Sequence, residues 1–502
     1  MKTKRLIMSF ATLLLTTLLI QAQNISDTNK INSSIDEYIK SVINDFQIPG
    51  LALAVVKDNN IYFEKAYGLK NLNTKDSLSV KSVFHMSSVS KPFVVTAIIQ
   101  LVEKGKMKLD DPLVKYLPYF KLDDPYYKEI TIKQILTHTS GMPDVQDYEW
   151  NKPQFDDGAA ERYVRSLANE KMIAKPGEKF RYSNMAFDVL ADVISKVSSM
   201  TFENYIKEKI LNPLNMKESD FLRERIKPDL RTSGHIFNLQ PRVSEIYPYN
   251  RIHAPSSCLE SNVTEMCNWA IANMNKGFLN GKRILDESSY KLLFEPQFKA
   301  SDERFFNENA DQFIGLSWFI KQYRGFKTIF HSGGDLGYRS EIIMIPEKSL
   351  AVIVASNYSS TPINGLAFGL IDIVLGYAPQ YSKIPISFVM GKIIIMEGVE
   401  NAIAFYKENK NNSTDKYFWG EDQLNTLGYQ LMNNNRLDDA LEIFKLNVEI
   451  FPQGFNTYDS LGEAYMRAGK KELAIKNYEK SLQINPKNEN AVEMLKQLQN
   501  SN

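Results

Sequence analysis

The sequence predicts an α+β domain, an antiparallel sheet flanked by helices with a helical lobe inserted, followed by an all-α repeat domain. Three observations predict it. Leu51–Val56 and Ile61–Tyr67 are short apolar runs joined by Lys57-Asp58-Asn59-Asn60, the pattern of an antiparallel hairpin. Comparable runs return late, at Lys327–Phe330, Glu341–Ile345 and Leu350–Ala355. Strands at both ends of one domain imply one sheet with the intervening block as a separate lobe. Far downstream the chain repeats with a period of 34: Leu427 matches Leu461, Gly428 matches Gly462, Ala440 matches Ala474, Phe444 matches Tyr478 and Pro452 matches Pro486. A fixed period of that length marks stacked helical units.

In chain order, Lys2, Lys4 and Arg5 precede an apolar run from Leu6 to Ile20, with Ala22 after it. This is the layout of a signal peptide over residues 1–22, so the mature protein is expected outside the cytoplasm, periplasmic or secreted. The 24–36 stretch is polar and reads as irregular. Ile35–Phe46 reads as a helix stopped by Pro49-Gly50. The hairpin follows, then a strongly apolar helix opening at Ser88. Asp110 to Ala300 is mostly helical; within it Met185–Val197 is apolar at helical spacing, with Asn184 placed as its N-cap. Pro346-Glu347-Lys348-Ser349 turns between the last two strands, and a helix from Gly365 to Leu375 closes a domain spanning 34–378. Pro379 and Pro385 mark a linker over 379–391. The repeats fill 392–500, with Gly398–Tyr406 as half of an earlier unit and Asn490–Leu498 as a closing helix.

Composition excludes several classes. Lys plus Arg is 60 and Asp plus Glu is 59, which gives no electrostatic reason for nucleic acid as a partner. After the leader, the most apolar stretch, Ile386–Met396, is too short to span a bilayer and contains Lys392, so the protein is not expected to be an integral membrane protein. Cys258 and Cys267 have no metal-ligand spacing and the five histidines are scattered, so neither a metal nor another cofactor is expected. In an exported protein the two cysteines can pair or remain buried thiols, and spacing does not decide between these.

Ser88-Val89-Ser90-Lys91 stands at the entrance of the apolar helix, where only Thr96 and Gln100 are polar between Val94 and Val102. Pro92 suits a first helical turn. A serine at a helix N-terminus is placed where the dipole favours a developing anion, and a desolvated lysine one turn on loses affinity for its proton and can act as a base. Ser-x-x-Lys also begins at Ser288 and Ser413, but no comparable helix follows either. A single such motif is most simply a capped helix with an exposed lysine; the company of Ser88 sets it apart. Tyr182-Ser183-Asn184 is the one Tyr-x-Asn in the chain, and His331-Ser332-Gly333-Gly334 holds the one His-Ser-Gly. Taken singly, Tyr182 would be a packed ring, Asn184 a cap and His331 a strand polar residue. His85, His138, His235 and His253 are left as structural residues.

Ser-x-x-Lys, Tyr-x-Asn and His-x-Gly in this order resemble the serine β-lactamase and penicillin-binding-protein superfamily. The Tyr form, with Leu136-Thr137-His138-Thr139-Ser140-Gly141, looks most like its class C β-lactamase-related hydrolases. The 34-residue period resembles the tetratricopeptide repeat. The first resemblance implies an acyl-enzyme on Ser88, a proton shuttle by Lys91 and Tyr182, and Asn184 bonded to substrate or to Lys91. It implies an oxyanion hole from the N–H groups of Ser88 and Gly334, with Gly333 and His331 lining the substrate strand. A cation beside Tyr182 is expected to ease its ionisation. Two departures bear on substrate: His331 stands where relatives carry Lys, and Ser256-Ser257-Cys258-Leu259 where many carry a Gly pair. The expected function is an exported serine hydrolase of small esters, amides or peptides, esterase-like or D-amino-acid- or D,D-peptidase-like, with weak or absent β-lactamase activity. That activity is expected to improve toward pH 6 as His331 gains charge. The alternative is a peptidoglycan- or penicillin-binding protein without turnover, its repeats recruiting a protein partner.

Overall fold

The computed structural model describes residues 28–302 and 311–500; the leader assigned to residues 1–22 lies outside them. The chain divides into two compact units. One comprises most of the chain up to Gln380, the other Tyr381–Asn502 with the short segments Asp45–Gln47 and Phe237–Arg242.

The first unit is built on an eight-stranded antiparallel sheet. Its strands are β1 (Gly50–Lys57), β2 (Asn60–Gly68), β3 (Phe298–Lys299), β4 (Gln312–Ile314), β5 (Phe319–Tyr323), β6 (Phe326–Asp335), β7 (Tyr338–Ile345) and β8 (Leu350–Ser356), in spatial order β2-β1-β8-β7-β6-β5-β4-β3. The N-terminal hairpin pairs with the last strand, Leu51 opposite Ser356 and Lys57 opposite Leu350. β1 and β8 are buried along nearly their whole length, as expected for central strands covered on both faces. Helix α1, residues 28–46, begins well before Ile35; the polar stretch taken as irregular is therefore helical from residue 28. β3 to β5 are strands that the sequence did not announce.

The lobe between β2 and β3 supplies α2 (Lys91–Glu103), α3 (Asn184–Asp188), α4 (Leu190–Ser198), α5 (Ala254–Ser257) and α6 (Val263–Met274). Residues 91 to 101 of α2 are all buried, and Phe93 stacks on Trp269 of α6 at 3.8 Å. The two polar residues in the middle of this helix find acceptors: Thr96 Oγ1 donates to Pro92 O at 3.0 Å, and Gln100 Nε2 to Ile284 O at 2.8 Å, while Gln100 Oε1 is buried without a partner. One continuous core joins α2 and α6 to Ala52, Ala54, Ile342, Met344 and Ile353 on one face of the sheet. On the opposite face lies α7 (Ile363–Val374). Both cysteines are buried and free.

From Tyr381 onward the second unit is helical apart from a two-residue strand pair, Ile384–Pro385 with Tyr417–Phe418. Its helices are α8 (Ile386–Glu397), α9 (Val399–Asn409), α10 (Glu421–Asn433), α11 (Leu437–Ile450), α12 (Phe455–Arg467), α13 (Lys471–Ile484) and α14 (Glu489–Asn500). The 34-residue period has a packing cause. A Cβ on Gly428 would lie 2.5 Å from the Phe444 ring, and one on Gly462 would lie 3.1 Å from Tyr478, so each aromatic seats on the glycine of its own helix pair. α8 starts at Ile386, inside the stretch read as a linker. Among the described residues no helix is long and apolar enough to cross a membrane.

Candidate active site

Ser88 opens a short 3₁₀ turn that runs straight into α2. Between Ser82 and Leu101 it is the one residue that is not buried. The preceding Ser87 sits at φ 49°, ψ −134°, a conformation that disfavours any side chain, and the strained turn lifts Ser88 out of the core. Ser90 Oγ braces it, donating to Ser87 O at 2.6 Å and accepting from Leu259 N at 2.8 Å. Upstream, Phe84 and His85 form a two-residue ladder with Ser261 and Glu260.

Lys91 is fully buried and spends its three protons on neutral acceptors. Nζ donates to Ser88 Oγ at 3.0 Å, Asn184 Oδ1 at 2.6 Å and Ser256 O at 2.8 Å. It also lies 4.9 Å from the centre of the Tyr182 ring. Burial pushes the Lys91 ammonium down to about 8, against the pull of Asp188, Asp144 and Asp335. Those carboxylates stand one layer back, and each holds a residue of the acceptor set or its neighbour. Asp144 Oδ1 accepts from Asn184 N at 2.7 Å, Asp188 Oδ1 accepts from Ser256 N at 3.2 Å, and Asp335 Oδ2 accepts from Ser257 Oγ.

The Tyr182 hydroxyl is hydrogen-bonded with Ser88, but burial pushes the phenol well above its ordinary range. This corrects the expectation of easier ionisation: desolvation outweighs the nearby cation. The ring is backed by His138, stacked at 4.1 Å. Burial, with the nearby Lys91 and His331, holds the His138 imidazole well below its ordinary value. Its Nδ1 accepts from Ser183 N at 3.2 Å, so this histidine, left unassigned from sequence, shapes the floor of the site. Asn184 is the first residue of α3, not its cap. Ser183 caps the helix, Oγ accepting from Ala186 N at 3.0 Å. That frees the Asn184 amide, whose Nδ2 donates to Tyr148 OH at 2.7 Å.

The third motif lies on β6. β5 pairs only with residues 326–330 of β6, while β7 pairs with β6 out to Asp335. Among the described residues, 331–335 thus have one open edge. Asp335 and Tyr338 close a two-residue loop, and a closing pair exchanges its backbone hydrogen bonds. By alternation His331, Gly333 and Asp335 turn their backbone groups to β7, and Ser332 and Gly334 turn theirs to the open edge. Gly333 faces the turn that precedes Ser88, where a Cβ would lie 2.4 Å from Met86 O. Ser340 Oγ, next to it on β7, donates to that same carbonyl at 2.6 Å.

His331 is buried, and burial with the nearby Lys91 ammonium pushes its imidazole down to about 3. Nδ1 lies 2.7 Å from Ser332 O, a contact only a ring N–H can make, so the proton of the neutral ring is on Nδ1. Nε2 is therefore a lone pair. The expectation that His331 gains charge near pH 6 fails on this point, and Nε2 has no proton to donate. Arg339, opposite Gly334 on β7, directs Nη1 to the carbonyls of Asp335 at 2.9 Å and Tyr338 at 2.7 Å.

All seven residues singled out from sequence lie in the first unit, and Ser88, Lys91, Tyr182 and Asn184 are directly linked. Sequence reading missed Tyr148, Asp144, Asp188, Ser256 and Asp335. Ser256 was noted only as a departure, and the others carry no local signal. No group of three or more metal-ligating side chains occurs among the described residues.

Comparison with known proteins is consistent with this geometry. The family described as Beta-lactamase matches residues 35–374, and Tetratricopeptide repeat matches 455–488. Protein flp of Staphylococcus aureus (strain MW2) is 27% identical over 337 residues, covering 66% of this chain. The chain spans 64% of the length of that relative. The D-alanyl-D-alanine-carboxypeptidase/endopeptidase AmpH of Escherichia coli (strain K12) is 26% identical over 360 residues, covering 70% of this chain and 91% of AmpH. Among solved structures, the octameric penicillin-binding protein homologue from Pyrococcus abyssi matches with a TM-score of 0.62 at 25% identity, covering 73% of this chain and 81% of that one.

Proposed function

The chain belongs to the beta-lactamase family, with a tetratricopeptide repeat region after the matched domain, and from that premise we propose that it is a serine hydrolase acting through an acyl-enzyme on Ser88. The observation that carries this reading is the neutral-acceptor cage of Lys91, with Nζ 3.0 Å from Ser88 Oγ in a buried setting. A lysine with its proton affinity lowered to about 8 is neutral in a useful fraction of molecules near pH 7 and can take the Ser88 proton during attack. Tyr182 then works as a neutral phenol that passes the proton toward the leaving group. The N–H groups of Ser88 and of Gly334, on the open edge of β6, receive the oxyanion. Asn184 positions Lys91, and Gly333 lets β6 lie close to the nucleophile.

The substrate class follows from His331. A lone pair there offers a substrate carboxylate no attraction, unlike a lysine ammonium. The reading is therefore hydrolysis of small esters, amides or peptides, D-amino-acid-containing ones included, with weak or no action on β-lactams. The name of the AmpH relative supports the peptide arm of this reading. Export by the leader and recruitment of a protein partner by the repeats complete the proposal. Reaction with a fluorescent fluorophosphonate, followed by a panel of nitrophenyl esters, D-amino-acid amides, a D-Ala-D-Ala peptide and a chromogenic cephalosporin, tests it. The expected result is labelling that is lost in Ser88→Ala, and turnover of an ester or amide well above that of the cephalosporin. Labelling with no turnover of any substrate would instead identify a binding protein.

A further inference from the structure

Below the site lies a buried ionic cluster that the mechanism above does not use. His85, three residues before Ser88, is fully buried. Its Nε2 lies 2.7 Å from Asp335 Oδ2 and its Nδ1 3.6 Å from Glu260 Oε1. Ser257 Oγ donates to the same Asp335 oxygen. Glu260 also accepts from Tyr247 OH at 2.7 Å and lies 3.6 Å from Arg223. The imidazolium donates from Nε2 to Asp335 and faces the Glu260 carboxylate as an ion pair, without a hydrogen bond from Nδ1. Burial opposes its charge, but Asp335 and Glu260 hold it up at about 9.

Three backbone segments meet at this ring: the strand entering the nucleophile turn, the segment after the Ser256 carbonyl that accepts from Lys91, and the end of β6 just beyond Gly334. We propose that His85 is a positioning residue of the acyl-transfer site, its imidazolium locking Asp335 onto Ser257 and neutralising the Asp335 charge that would otherwise act on Lys91. The inference rests on the serine-hydrolase reading for its kinetic consequence, though not for the ion pair itself. Lys91 is also faced by Asp144 from its loop, Asp188 from α3, and the neutral His138, Tyr182 and His331. Two of its three carboxylates contact a buried histidine, Asp335 through His85 and Asp188 through His253 Nδ1 at 2.6 Å; of the two, His85 is the one whose ring faces a second carboxylate, Glu260.

The sign of the effect is specific. Without the imidazolium, Asp335 attracts the Lys91 proton more strongly, so less neutral Lys91 is present at pH 7. Without the carboxylate the attraction is lost and more neutral Lys91 is present. Fluorophosphonate labelling of Ser88 as a function of pH reads this directly in His85→Gln, Asp335→Asn and the double variant. In His85→Gln the rising limb is expected to move to higher pH, with labelling at pH 7 slowed about tenfold and recovered in alkali. In Asp335→Asn the limb moves to lower pH, and the double variant returns close to the parent. A purely structural role lowers rates without moving limbs in opposite directions. Shifts of the same sign, or none, overturn the proposal. Thermal melting of the same three variants tests the pair without any catalysis. The double variant is expected to melt above His85→Gln, because it buries no uncompensated carboxylate at this position, and strictly additive losses overturn the pairing. A parent protein that does not label refutes the hydrolase reading instead, and leaves the melting cycle to decide the pair.

Discussion

The Lys91 cage makes a quantitative prediction about pH. Burial depresses the ammonium from 10.5 to about 8. If neutral Lys91 is the base for Ser88, acylation must follow its fraction: about one molecule in a hundred at pH 6, about one in ten at pH 7, and nearly all above pH 9. Acylation should therefore rise about tenfold per unit from pH 6 and level off past 8. The assay is the initial rate of Ser88 labelling, with hydrolysis of an uncharged nitrophenyl ester in parallel, from pH 5.5 to 10 after correction for buffer and spontaneous hydrolysis. Neither probe titrates there, so the limb belongs to the protein. His331 and His138 cannot supply it, since both are held neutral across this range. A rate highest near pH 6 and falling toward 9 would refute the assignment of Lys91 as base.

The same shift has a stability consequence whose sign is fixed. The folded state binds the Lys91 proton less tightly than the unfolded chain. The penalty is therefore complete below pH 8 and is relieved as pH rises toward 10.5. At about 1.4 kcal/mol per unit, burying the ammonium costs about 3 kcal/mol at neutral pH. Replacing Lys91 by Met removes that cost but strands Asn184 Oδ1 and Ser256 O, at about 1–3 kcal/mol each. Lys91→Met should accordingly lose at least about two orders of magnitude in rate while its melting temperature changes little. A large fall in stability would mean the lysine is kept for folding.

Two further outcomes are expected. Gly333→Ala places a methyl 2.4 Å from Met86 O and 2.3 Å from Ser340 Oγ, pushing β6 away from the turn that carries Ser88. Acylation should fall about a hundredfold, measured against the labelling rate of the parent, while far-ultraviolet circular dichroism stays unchanged. Glu341, opposite Ser332 on β7, is fully buried, and burial pushes its carboxyl up to about 8; a raised acid stabilises most below its unfolded value and loses that contribution as pH climbs through 8. Glu341→Gln should flatten the decline in urea stability between pH 5 and 8.5 and gain about 2–4 kcal/mol at the upper end.

Much of this architecture was legible because the residues involved carry their reasons locally. α2 is apolar throughout, so its burial was readable, and Ser88, Lys91, Tyr182 and His331 are chemical types in a recognisable order. The repeat register was readable because glycine and aromatic partners recur at one period. Other features depend on contacts distant in sequence. β5 reads Phe-Ile-Lys-Gln-Tyr, too short and polar to announce a strand, and it pairs only because β6 lies beside it. Asn184 and Ser183 are equally good caps by type; the choice falls to Ser183 because Lys91 and Tyr148 claim the Asn184 amide. The ionisation of Tyr182 and His331 was misjudged because a sequence displays neighbouring charges but not desolvation, and desolvation is the dominant influence at both.

The arrangement around Lys91 also explains why its carboxylates stand one layer back. A carboxylate in direct contact would favour the ammonium and leave almost no neutral amine to accept the Ser88 proton. With no carboxylate nearby, burial alone would push the lysine further down, and the orphaned acceptors would cost stability. Asp144, Asp188 and Asp335 instead hold the Asn184 amide N–H, the Ser256 N–H and the Ser257 hydroxyl. They orient the acceptor framework while contributing only an attenuated field. Moving any one of them into contact, as a Ser256-side glutamate would, should raise the proton affinity of Lys91 and shut off acylation at neutral pH without disturbing the fold. If Lys91 is the base, as proposed, the site depends as much on the distance of its acids as on the presence of the lysine.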